Sequence, residues 1–196
     1  MKALLVSAHP CADSYSAALA EAARRGLVTS GHEVTTLDLY AADFTAVMSP
    51  ADLDAYRDQA DPVDPVVRQH GELVRHAEVL VFVYPTWWSG PPAMLKGWLE
   101  RVLVPGVAFT FDRQGKVQPA LGHVRRIVGI STYGSPWTYI KLVNDNGRRL
   151  LTRALRLTCG WRTATTWLGL YSIDTTGEPE RRAFLDRVEH SMAKIR

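Results

Sequence analysis

Only two cysteines occur in the 196 residues, Cys11 and Cys159, and they stand far apart. Such a pair supplies neither a disulfide framework nor metal-ligand spacing. His32, His70, His76, His123 and His190 show no ligand spacing either, so no metal is expected. Long apolar runs are also missing. No stretch approaches about 18 uninterrupted apolar residues, which excludes a membrane-inserted helix. The first six residues lack the apolar core and small-residue cleavage site of a secretory leader, so a cytoplasmic protein is expected. Charge of one sign is scarce as well: 23 basic against 20 acidic residues leave +3. Arg24-Arg25, Arg125-Arg126, Arg148-Arg149 and Arg181-Arg182 are isolated pairs that read as solvated helix faces, and no nucleic-acid partner is expected. Neither G-x-G-x-x-G nor G-x-x-x-x-G-K-[ST] occurs, which disfavours a dinucleotide-fold dehydrogenase and a P-loop ATPase.

What is present alternates. With 46% hydrophobic and 22% charged residues the composition is that of a soluble globular protein, and the length fits one domain, residues 1–196. Strands are expected at 3–7, 34–39, 79–84, 126–130 and 162–168, and helices at 14–29, 66–75, from about 93 to 103, 142–157 and 179–195. Residues 40–63 read as loop with one helical turn near 51–56, and 107–116 as a small hairpin or an ordered excursion. Strands alternating with helices imply a doubly wound α/β domain with a parallel sheet and right-handed crossovers. No repeat, linker or low-complexity tract interrupts it.

Three strand-end loops carry the chemistry. Residues 84–92 follow an apolar strand and set Trp87 and Trp88 side by side among prolines and hydroxyls. Two indoles on one turn cannot both pack against their own strand and helix, so a flat aromatic ligand or a second chain is expected to complete them. Residues 8–16 join the first strand to the first helix, where free backbone N–H groups favour an anion by roughly 0.3–1 kcal/mol. His9, Ser14 and Ser16 add donors there, and the plain alternative is a serine N-cap beside a histidine that satisfies backbone groups. Asp13 opposes an anion and is expected to cap the helix, facing away. Residues 131–139 again combine hydroxyls, a glycine and aromatics. Parallel strands deliver all three loops to one edge, the edge at which open α/β sheets bind ligands.

Together, residues 8–10, 84–88, 92–102, 106–111 and 159–161 resemble the NAD(P)H:quinone oxidoreductase family of flavodoxin-like fold. The resemblance implies a five-stranded parallel sheet of order 2-1-3-4-5 with helices on both faces. It implies one flavin, FAD or FMN, per subunit. His9, Ser14, Tyr15 and Ser16 match the residues at the flavin phosphate and ribityl end. Pro85, Thr86, Trp87, Trp88 and Ser89 match the loop lining the isoalloxazine ring, and Ser131, Thr132, Tyr133 and Gly134 the loop donating to its pyrimidine side. Tyr139 falls where some members carry a tyrosine beside the reacting face, and is the candidate catalytic residue. The implied activity is ping-pong hydride transfer from NAD(P)H to a quinone-like acceptor, in a homodimer with sites at the interface.

Two departures mark this chain. Tyr133-Gly134 stands where the animal enzymes have two glycines, and Asp145, or Asn144, where they have a histidine. Some relatives are ancillary subunits of potassium-efflux transporters, which leaves a regulatory flavoprotein with a peripheral membrane partner as the alternative. A phospho-receiver domain of the same topology is excluded because the third strand ends in Tyr84-Pro85, without an acceptor aspartate. Elsewhere, Trp98 reads as core or dimer interface, and Phe109 and Phe111 as strand residues of the core or a partner's cover. Lys96 reads as a solvated charge, Cys11 as incidental and Cys159 as a buried small hydrophobe.

Overall fold

Side chains alternate across a strand, and here both sets are apolar. In β1 (Lys2–Ser7) Leu4 and Val6 join one core while Ala3 and Leu5 join the other. A sheet apolar on both faces must be covered on both, the signature of parallel pairing. The computed structural model describes residues 1–196. Its further strands are β2 (Glu33–Asp38), β3 (Val79–Thr86), β4 (Phe109–Phe111), β5 (Val117–Pro119), β6 (Arg126–Tyr133) and β7 (Ala164–Leu170). Five of them pair in parallel in the order β2-β1-β3-β6-β7, while β4 and β5 form the expected hairpin outside. Counted over the sheet strands alone, this is the order 2-1-3-4-5.

One face is covered by α1 (Tyr15–Thr29) and, near the carboxyl end, α8 (Glu178–Met192). They touch closely because Gly26 has no side chain: a Cβ there would lie 2.2 Å from the Glu189 carbonyl oxygen. The larger core, on the other face, takes in α3 (Pro65–His76) and α4 (Ala93–Val102), with Trp98 fully buried within it. Gly129 of β6 leaves room on that face for the Trp167 indole, which a Cβ would meet at 2.1 Å.

Residues 40–63 hold more order than a loop with one turn. A full helix, α2 (Pro50–Arg57), starts at a Ser49–Asp52 capping box. It has no buried residues of its own, so Arg101 of α4 ties the excursion down. Arg101 is 6% exposed, and its guanidinium reaches Asp52 and Asp64 at 3.1 Å each and donates to the Thr45 carbonyl.

Two further expectations are corrected. The helix expected over 142–157 is broken: α5 (Trp137–Leu142) ends early, and Asn144 and Asp145 turn left-handed at φ 75° and 44°. Asn and Asp tolerate that conformation better than most residues. The chain then resumes as α6 (Asn146–Arg149), a π-helical stretch (Leu150–Leu155) and α7 (Arg156–Cys159). The central strands also run further than expected, β3 to Thr86 and β6 to Tyr133, through the register Thr86↔Tyr133. Pro85 is tolerated because β1 pairs only as far as Val83, so no neighbour on that side needs its missing N–H.

Candidate functional site

The carboxyl ends of β1, β3 and β6 lie side by side, and the loops that leave them share one edge of the sheet. After β1, Ser14 is the N-cap of α1, its hydroxyl accepting from the Ala17 N–H at 3.2 Å. The cap is therefore Ser14 and not Asp13, which is exposed. The backbone N–H groups of Tyr15 and Ser16 find no acceptor in the chain, leaving an anion-directed helix start. His9 Nδ1 accepts the Cys11 N–H at 3.0 Å, which places the neutral ring's proton on Nε2, a free donor. The Tyr15 hydroxyl donates to the Arg181 carbonyl at 2.7 Å, and burial pushes its pKa up to about 12, so of its polar groups only the backbone N–H is left unpaired at the loop.

After β3 the chain reverses in two residues. Trp87 and Gly90 exchange both backbone hydrogen bonds at 3.0 Å, and the residues between them, Trp88 and Ser89, sit at φ 45° and 60°. This is a type I′ turn, normally built from Asn-Gly or Gly-Gly. A tryptophan and a serine in left-handed backbone cost about 1–2 kcal/mol each, the kind of strain that gathers at ligand-binding loops. The turn leaves the Trp88 indole fully exposed and Trp87 nearly half exposed, with the Trp87 ring 5.9 Å from His9. The N–H groups of Trp88 and Ser89 have no acceptor within the chain.

The third loop is shorter than expected, because Ser131, Thr132 and Tyr133 are buried strand residues. Ser131 Oγ and Thr86 Oγ1 share a hydrogen bond of 2.8 Å beneath the edge. Tyr133 donates to Asp145 Oδ1 at 3.0 Å and stacks on Tyr171 with centroids 4.6 Å apart. Burial first, then the negative Asp145, drives its pKa far above the ordinary phenol value, so it stays protonated and donating. Burial beside the same carboxylate raises Tyr84 likewise, and the Tyr84 hydroxyl is left without a partner. Gly134 opens the true loop, with a free backbone N–H and a Cβ position only 2.9 Å from Asp174 Oδ2. Tyr139 stands exposed on α5, and Trp137, half exposed, was not among the expected site residues.

This edge therefore combines an anion-directed helix start, unpaired N–H donors on all three loops and two exposed indoles. The donor set suits a flat heteroaromatic group bearing a phosphate: N–H donors for ring oxygens and nitrogens, indoles for its faces, the α1 start for the anion.

Comparison with known proteins follows the same lines. The sequence profile of the family described as flavodoxin-like fold matches residues 1–192. An uncharacterized NAD(P)H oxidoreductase of Escherichia coli (strain K12), YcaK, is 41% identical over 106 residues, 54% of this chain and 54% of that protein. NAD(P)H dehydrogenase (quinone) 1 of Rattus norvegicus is 33% identical over 155 residues, 70% of this chain and 56% of that protein. The chain thus spans just over half the length of these two relatives. Among solved structures, Smu.1420 from Streptococcus mutans UA159 superposes with a TM-score of 0.87 at 30% identity, covering 100% of both chains. The NAD(P)H:quinone oxidoreductase from Methanothermobacter marburgensis gives 0.84 at 25% identity, over 98% of this chain and 96% of that one.

Proposed function

The chain belongs to the family of flavodoxin-like fold matched over residues 1–192, and from that membership we propose a flavin-dependent NAD(P)H oxidoreductase that reduces quinones or related aromatic acceptors. The observation that carries the reading is the convergence of unpaired N–H donors and exposed indoles on one edge of the sheet. The relatives named for NAD(P)H and quinone chemistry support the same reaction class. Once bound, FMN or FAD supplies two-electron hydride exchange between the nicotinamide and the acceptor.

This chain's own residues do the rest. The N–H groups of Tyr15 and Ser16, with the Ser14 cap and His9 Nε2–H, hold the phosphate. Free N–H groups at Trp88, Ser89 and Gly134 point fixed dipoles at the ring's polar edge and favour negative charge there without reorganising. Trp87 and Trp88 wall the ring and exclude water. Tyr139, exposed on α5, would donate to the acceptor's oxygen. A second copy of the chain closing over the exposed indoles would complete a homodimeric site.

The test is direct. Purified protein given excess FMN or FAD is expected to retain a yellow chromophore through gel filtration, with one flavin per chain released on denaturation. The loaded protein is expected to bleach under NAD(P)H and recover its colour with a soluble benzoquinone. Protein that stays colourless with either flavin overturns the reading.

A further inference from the structure

Arg148, Arg149 and Arg153, with Lys141 of α5, line a cleft of about 300 Å³ that also includes Trp137 and Asp145. All four cations are exposed, and none has a carboxylate within ion-pair distance or donates a side-chain hydrogen bond. Elsewhere Arg24, Arg25 and Arg101 each have an acidic partner. The single carboxylate of the cleft, Asp145, accepts the Tyr133 hydroxyl at 3.0 Å and offsets only one of the four cations, leaving a net excess of three positive charges. Arg149 and Arg153 are four residues apart and repel each other. Like charges gathered around a concavity with too little counter-charge make a place where an anion is favoured.

The cleft also carries a flat surface. Trp137 is half exposed, and the Lys141 ammonium lies over its ring at 5.0 Å from the centroid. An indole flanked by cations suits an aromatic base bearing phosphate. The position fits as well. Trp137 follows directly on the short loop after β6, and Asp145 is hydrogen-bonded to Tyr133 at the end of that strand. The cleft thus opens beside the flavin edge.

We propose that this cleft receives the adenosine end of NADPH, with the 2′-phosphate among Lys141, Arg149 and Arg153 and the base against Trp137. The inference rests on the flavin-reductase reading and deepens it, making NADPH the preferred donor over NADH. The shared chemistry is a phosphate among cations. The 2′-phosphate occurs only in NADPH, whereas the diphosphate is common to both coenzymes.

The two sources separate by calorimetric titration of the full chain with 2′,5′-ADP and 5′-AMP, which differ only in the 2′-phosphate. The expected result is at least tenfold tighter binding of 2′,5′-ADP, equivalent to about 1.4 kcal/mol. That margin should shrink with added salt and vanish in the Arg149→Ala/Arg153→Ala variant. Equal affinity for the two ligands overturns the proposal, as does a variant that keeps the margin. A variant that weakens both ligands equally also overturns it, moving the cations to the shared phosphate. Protein that takes up no flavin yet keeps the tenfold margin refutes the reductase reading and supports the cleft.

Discussion

At the scale of single residues, the turn after β3 spends stability on placement. Trp88 and Ser89 hold left-handed backbone that glycine would accept without strain. Trp88→Gly is therefore expected to raise the unfolding free energy by about 1 kcal/mol while weakening flavin retention, both read by urea titration and flavin fluorescence. A variant that is less stable, or that holds flavin as well as the parent, removes the assigned role. Asp52 makes the opposite case. Burial alone would raise its pKa, but the Ser49 hydrogen bonds and then Arg101 hold it below the ordinary carboxylate value. Its contribution is thus complete above the ordinary range and lost as pH falls through the lowered value. Asp52→Asn should cost about 1.5–3 kcal/mol near neutral pH, with the gap to the parent closing under acid in urea titrations from pH 7 to 3. The sequence marks Trp87-Trp88 because two adjacent indoles on a turn have nowhere local to go. It does not mark Arg101, since an arginine on an amphipathic helix looks solvated until the excursion at 40–63 folds over it.

At the scale of elements, close approach decides what packs. Gly26→Ala would gain about 1 kcal/mol in helix propensity alone. The added methyl meets the Glu189 carbonyl and Met192 Cβ, so α1 and α8 must separate. A net loss of about 1–3 kcal/mol is expected, checked by urea midpoints; a stabilised variant would show that the two helices yield easily. Element order and type were legible because apolar runs and helical periods alternate cleanly. Strand ends were less so. Ser131, Thr132 and Tyr133 carry loop-like hydroxyls, yet pairing with the end of β3 keeps them in the sheet. The break at Asn144 and Asp145 was signalled by the run Asn144-Asp145-Asn146-Gly147, but the apolar period on either side concealed it. Arg148 and Arg149 read as a solvated pair because Lys141, on the far side of that break, joins them and Arg153 around one cleft only in the folded chain.

At the scale of the whole molecule, two cores of 25 and 15 residues grip the sheet from either side and leave its carboxyl edge uncovered. No helix is long and apolar enough to cross a membrane. A ligand seated on that edge binds only the folded chain. At a hundredfold excess over its dissociation constant it adds about 2.7 kcal/mol, which for a chain of this length raises the melting temperature by roughly 5–11 °C. Differential scanning fluorimetry with FMN and with FAD reads this directly, and the larger shift identifies the preferred flavin. No shift with either would leave the edge without its proposed occupant.

The amides of Trp87 and Gly90 are each other's partners across that reversal, so neither can be shielded alone. Whenever the chain springs out of its left-handed pose, both protons meet solvent at the same instant. Once each is corrected for its intrinsic exchange rate, the two should therefore show the same protection, and that shared value reports what fraction of the time the free protein lets its tryptophans go.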